Sequence, residues 1–175
     1  ELPKKAKPCE FCHSFYHKDT KDNKSEENHT EINSQYADIK LFQEIGAGTL
    51  KPSDKCNNKM CQALLKEINS AQKSIDITAY DFHRQPVLIK ALENSAKRGV
   101  KIRLATDDGI FKNSPETVEV FKTFTKEIYS DKIPQKDANR LMHNKFIIFD
   151  GKRVWTGSAN FTDTGLSGFD ATISL

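Results

Sequence analysis

The stretch from His143 to Asn160, H-N-K-F-I-I-F-D-G-K-R-V-W-T-G-S-A-N, constrains the fold more than any other part of the chain. Phe146, Ile147, Ile148 and Phe149 form an unbroken apolar run between polar ends. That pattern predicts a strand buried on both faces. Asp150-Gly151 predicts a tight turn, and Arg153 to Thr156 a second strand returning beside the first. The hairpin would carry Gly157, Ser158 and Asn160 back towards His143. Residues two apart in a strand share a face, so His143 and Lys145 are expected to point the same way and to reach one phosphate. Lysine offers a fixed positive charge, and histidine a nitrogen that attacks phosphorus or carries a proton near neutral pH. Gly157 permits a close backbone approach, while Ser158 and Asn160 offer hydrogen bonds to phosphate oxygens. The alternative is a buried hairpin with a structural histidine and a solvated lysine.

The 175 residues suffice for one domain with a sizeable core. Residues 1 to 36 hold six Lys against seven Asp and Glu and show no apolar periodicity. They read as a polar, mostly irregular arm, partly anchored by Phe11, Phe15 and Tyr16. The remaining residues, 37 to 175, carry the balance of the net charge of +3 and lean basic, which suits an anionic partner. No apolar stretch is long enough to span a membrane. The chain starts at Glu1 without Met, so a processed product, secreted or periplasmic, is expected.

Strands and helices alternate from Ala37 onward. Strands are expected at Asp38 to Phe42, Ser74 to Tyr80, Val100 to Thr106, around Ile128, and from Ala171. Helices are expected at Met60 to Ala71, at Pro86 to Arg98 with Gly99 just past its end, and at Pro115 to Lys126, with Ser114 as a candidate cap. A short helix or turn is expected around Thr162 to Leu166. The alternation argues for a mixed α/β fold with a largely parallel sheet flanked by helices.

His143, Lys145, Asp150, Gly157, Ser158 and Asn160 together spell H-x-K-x4-D-x6-G-S-x-N. This resembles the signature of the phospholipase D superfamily, and most of all its bacterial nuclease-like members. The resemblance implies an α/β/α sandwich, over roughly residues 37 to 175, that cleaves or transfers phosphodiesters without metal or other cofactor. Such enzymes place two motifs face to face. One is found here, so the resemblance implies either a homodimer or a second lobe of a longer chain. It implies that His143 acts as nucleophile or as proton donor, with the other histidine taking the complementary role. Lys145, Ser158 and Asn160 would then hold the phosphate oxygens, and Asp150 would orient the site. Asp170 stands near where relatives buttress the histidine.

His83 and Arg84 follow a core strand and are candidate contacts to substrate phosphates. Asp107-Asp108-Gly109 reads as a turn rather than a metal site, and Trp155 as core rather than a base-stacking platform. Cys9-x2-Cys12, with His13 and His17 nearby, has zinc-ligand spacing, and Cys56 and Cys61 are candidates to join it. Disulfides suit the four cysteines equally well. Asn28-His29-Thr30 matches a glycosylation sequon. The leading expectation is a metal-independent nuclease acting on DNA or RNA. The alternatives are a phospholipase or phosphatidyl transferase, and a non-catalytic nucleic-acid-binding module.

Overall fold

The computed structural model describes residues 29–33, 38–44, 54–113, 115–131, 141–167 and 172–174. The chain runs β1 (His29–Asn33), β2 (Asp38–Glu44), α1 (Lys59–Ser70), β3 (Ser74–Ala79), α2 (Pro86–Lys97), β4 (Lys101–Thr106), α3 (Asp108–Asn113), α4 (Pro115–Lys122), β5 (Ile128–Ser130), β6 (Lys145–Phe149), β7 (Arg153–Thr156), α5 (Asp163–Leu166) and β8 (Thr172–Ser174).

Local chemistry sets the helix ends. The Asn58 side chain accepts the Cys61 N–H at 2.8 Å and starts α1. Pro86 opens α2, where its missing N–H costs nothing. Gly99, at φ 91°, closes it in the left-handed region that glycine enters without penalty. Met60, Cys61, Leu64 and Ile68 make one buried stripe on α1, and Leu88, Ala91, Leu92 and Ser95 another on α2. The Ser95 hydroxyl donates to the Ile68 carbonyl at 3.1 Å and fastens the two helices together.

The main sheet has the order β5-β4-β3-β6-β7. Its β3–β4 and β4–β5 pairs are parallel, and its β3–β6 and β6–β7 pairs antiparallel. The mixed α/β class expected from the sequence is therefore present, with the parallel pairs confined to one side of β3. Ile75, Ile77, Ile102, Leu104, Ile147, Phe149 and Trp155 project from this sheet into one continuous core with α1, α2 and Phe121 of α4. The opposite face is half-buried at Asp76, Thr78, Phe146 and Ile148 and exposed at Val154. Hence β6 is one-sided, not buried on both faces. It pairs antiparallel on both edges, and antiparallel sheets tolerate one wetter face.

A second sheet, β1-β2-β8, leans on the first, with the Phe42 ring stacked on Trp155 at 5.4 Å between centroids. Its strand β1 carries the fold back to His29, upstream of the boundary expected at Ala37. The aromatic cluster of the arm, the Ser114 cap and Asn28 of the sequon lie outside the described residues.

The β6–β7 turn is anchored from outside. Asp150 and Gly151 both sit at positive φ, 56° and 67°, and the Lys152 N–H donates to the Phe149 carbonyl at 3.0 Å, a tight turn within the three-residue loop between the paired Phe149 and Arg153. The Asp150 Oδ1 accepts backbone N–H groups of Gln72, Lys73 and Ser74 at 3.0, 2.7 and 3.1 Å. Lys73 above all, with Ser74, Gln72 and the Arg153 charge, holds this carboxyl below the ordinary aspartate range. A depressed folded-state pKa stabilises the fold above the unfolded pKa and loses that contribution as pH falls. Asp150→Asn keeps the left-handed turn but not the charge. It is expected to cost about 1 kcal/mol at neutral pH. Thermal denaturation should show this gap closing as pH drops below roughly 4.

Candidate active site

Lys145 is the first residue of β6, paired with Ala79, and it points to the buried face of the sheet. Only 7% of it is exposed. Its Nζ donates to the His143 carbonyl oxygen at 2.8 Å and lies 5.6 Å from the centre of the Tyr80 ring. Burial pushes the pKa of this ammonium down from the ordinary lysine value.

His143 precedes the strand instead of belonging to it. Its side chain is exposed and meets the Tyr80 ring edge-on at 4.8 Å between centroids. The shared-face expectation thus becomes a stacked arrangement, with a solvent-facing imidazole above a buried cation and Tyr80 touching both. Two backbone bonds fix the residues on either side of His143. The Tyr80 N–H donates to the Asn144 carbonyl at 2.9 Å, and the Met142 N–H donates to Asp107 Oδ2 at 3.0 Å.

Asp107 is 2% exposed, and its Oδ1 accepts the Gly109 and Ile110 N–H groups at 2.8 and 3.2 Å. Asp107-Asp108-Gly109 therefore opens the short helix α3 and is not a simple turn. Asp108 is engaged by Lys112 and Ser130. Sequence reasoning missed the hold of Asp107 on the His143 segment. The one available hint was an aspartate at the end of a strand and the start of a helix.

The second half of the motif arrives on β7. Thr156 pairs with Phe146, and its hydroxyl donates to the Lys145 carbonyl at 3.3 Å. Beyond it Ser158 is exposed and Asn160 half-buried. The Asn160 Oδ1 is buried and has no hydrogen-bond partner among the described residues. An unsatisfied buried oxygen of this kind is costly unless a donor completes it. Phe161 bridges to Phe82, which joins the end of the motif to the loop after β3. The Thr162 hydroxyl then accepts the Gly165 N–H at 3.0 Å and starts α5.

Gly165 lies hard against the site. A Cβ placed there would stand 2.3 Å from the Asn160 carbonyl oxygen and 2.9 Å from its nitrogen.

The structure separates Asp150 from this cluster. It lies at the other end of β6, roughly 17 Å along the strand from Lys145. Expected with the motif as an orienting residue, it binds the start of β3 through its oxygens. Asp170 lies outside the described residues. His83 and Arg84 stand beside the site on the loop that follows Tyr80. Trp155 is core, as expected.

Cys56 and Cys61 form a disulfide across the start of α1, with Cα atoms 5.1 Å apart. This settles that pair in favour of a disulfide. Cys9, Cys12, His13 and His17 lie outside the described residues. Between the two bonded cysteines, the Asn58 Nδ2 donates to the Leu166 carbonyl and ties α1 to α5.

Comparison with known proteins agrees with this geometry. The family model described as "Cardiolipin synthase, PLD-like domain" matches residues 64–172. A phospholipase D of Rickettsia conorii is 33% identical over 99 residues, which are 57% of this chain and 46% of that protein. A mitochondrial cardiolipin hydrolase of Xenopus laevis is 28% identical over 99 residues, 57% of this chain and 44% of that protein. The chain thus spans about half the length of the curated relatives it matches. Among solved structures, the phospholipase D family member Nuc of Salmonella typhimurium superposes with a TM-score of 0.52 at 28% identity. That match covers 65% of this chain and 72% of Nuc. NucT of Helicobacter pylori gives 0.56 at 23% identity, over 77% and 80% of the two chains, and shares the fold.

Two substitutions test the supports of the site. Gly165→Ala should displace the Asn160 backbone, lowering Tm by several degrees and shifting the Asn160 amide resonance. Asp107→Asn presents a donor to the Met142 N–H if Oδ2 becomes the amide nitrogen. It should cost about 1–3 kcal/mol in denaturant unfolding and broaden the His143 ring signals.

Proposed function

This chain belongs to the phospholipase D-like domain family, and from that premise we propose that it is a metal-independent phosphodiesterase acting on DNA or RNA. Members of the family are phosphodiesterases. The observation that carries the proposal is the Lys145 ammonium, buried, held on the His143 carbonyl and lowered in pKa by burial alone. A cation in that state offers its charge to the non-bridging oxygens of a bound phosphodiester. Ser158 and the Asn160 amide add hydrogen bonds to the same oxygens. A nitrogen of His143 attacks phosphorus as the bond to the leaving oxygen breaks. A second histidine, from a second copy of the chain or a further lobe, gives that oxygen its proton. The same histidine then takes a proton from water as the phosphohistidine is hydrolysed. Lysine and histidine supply here the charge and proton chemistry that paired ions supply elsewhere. The Cys56–Cys61 disulfide supports an oxidising compartment, secreted or periplasmic.

A second reading, a phospholipase or phosphatidyl transferase, draws on the names of the relatives and on Leu141. That residue is 60% exposed two positions before His143.

The test is hydrolysis of a fluorogenic oligonucleotide in excess EDTA by the wild type and His143→Ala, beside cardiolipin vesicles. Cutting of the oligonucleotide that survives EDTA and falls by at least about 10³-fold in the variant supports the nuclease. His143-dependent turnover of the vesicles alone moves the assignment to lipid, and cutting by both proteins rejects the site. In kcat/KM, which reports the free enzyme, the alkaline limb should fall below the ordinary lysine value. The charged Lys145 is the active form, and burial makes its proton easier to lose.

A further inference from the structure

The loop Tyr80–Arg84 forms a wall of the site, and the motif accounts for none of its polar side chains. Tyr80 touches both His143 and Lys145. Phe82 is packed between Phe121 and Phe161, at 5.3 and 5.5 Å between ring centres, and bridges to the residue after Asn160. The loop is therefore rigid where it meets the site. Between these two anchors the Asp81 Oδ2 takes the His83 Nδ1 at 2.6 Å. The other Asp81 oxygen is buried with no hydrogen-bond partner among the described residues.

A carboxylate on Nδ1 fixes which nitrogen of the ring remains available, leaving Nε2 for a partner in solvent. His83 is partly exposed. Arg84 beside it is 73% exposed, with its nearest carboxylate, that of Asp163, 3.8 Å away. It also holds φ at 51°, an unusual conformation for a residue other than glycine. A half-buried carboxylate bound to a partly exposed imidazole, with an outstretched guanidinium next to it, has the makings of a phosphate subsite.

We propose that His83, positioned by Asp81, and Arg84 bind a phosphate flanking the scissile one, so that the site recognises a polymer of phosphodiesters rather than a substrate with a single one. This rests on the nuclease reading and sharpens it. A nucleic acid strand presents a run of phosphates within reach of the scissile one, cardiolipin presents a single second phosphate, and a phospholipid with one phosphodiester has none to offer. The His83 ring N–H and the Arg84 guanidinium N–H groups are the donors offered to the flanking phosphate. The charged groups against this pair are Asp81, on His83, and Asp163, near Arg84.

The test is binding of a fluorescein-labelled thymidine 12-mer by wild type, His83→Gln, Arg84→Gln and Asp81→Asn over a salt series. Hydrolysis of the 12-mer and of bis(p-nitrophenyl) phosphate is followed in parallel, and Tm confirms folding. Each variant is expected to bind about fivefold more weakly. Arg84→Gln should also reduce the slope of log affinity against log salt by about one. On the 12-mer KM should rise more than kcat falls, and the loss should exceed that on the small diester. His83→Asn offers a second replacement if His83→Gln misfolds. Wild-type affinity and salt slope in both the His83 and Arg84 variants would overturn the subsite, as would equal losses on the two substrates. Binding that depends on His83 and Arg84 without any cleavage leaves the subsite standing and sinks the nuclease. Hydrolysis of the small diester by a wild type that neither binds nor cuts the 12-mer sinks the subsite and the nuclease together, and cutting of the 12-mer with wild-type affinity in the His83 and Arg84 variants sinks the subsite alone.

Discussion

The register of β6 on β3 is the constraint on which the rest depends. It sets Lys145 opposite Ala79 at one end and Phe149 opposite Ile75 at the other. A slip of one residue would turn Lys145, Ile147 and Phe149 onto the wetter face and bury Phe146 and Ile148 in their place. Both ends are pinned against such a slip. Asp150 grips the backbone before β3, and Tyr80 grips Asn144. The same pairing that seals the core therefore delivers His143 and Lys145 to the carboxyl end of β3. Parallel strands leave their connecting loops at that end, and here the Tyr80–Arg84 loop and the start of α3 gather around the motif.

Burying a lysine is expensive, and the structure shows how that burial is arranged. Among the described residues the Nζ keeps one hydrogen bond, to a carbonyl, and the face of Tyr80. A neutral acceptor and a ring give less than a carboxylate would, so the cation is left under-compensated. A phosphate arriving beside it is correspondingly better bound than it would be by a solvated or already paired lysine. The Asn160 oxygen a short way along the chain is an acceptor with no donor among the described residues, and it is the amide N–H groups beside it that can reach a phosphate.

Much of this was legible in the residues. The apolar run, the Asp-Gly turn and the return to Thr156 gave the hairpin. Pro86 and Gly99 bracketed α2, and the motif spacing marked the site. The parts that were not legible are non-local. No pattern around Asp107 says that its carboxylate will hold an amide 35 residues away. Whether Cys56 and Cys61 bond to each other or to a metal cannot be read from a spacing of five. The helix starting at Asn58, between them, brings them together. The strand β1, H-T-E-I-N, is too short and too polar to stand out, and it forms because β2 offers an edge. The unequal exposure of His143 and Lys145 follows from where β6 begins, two residues later than the alternation suggested.

Trp155 is the chain's single tryptophan, and it lies under Phe42 where the small sheet meets the large one. Its indole sits on the strand that leads directly into Gly157, Ser158 and Asn160. Ultraviolet emission excited at a wavelength that tyrosine does not absorb therefore comes from one known place. It reports the seam between the two sheets, without an added label, whenever one sheet loosens from the other.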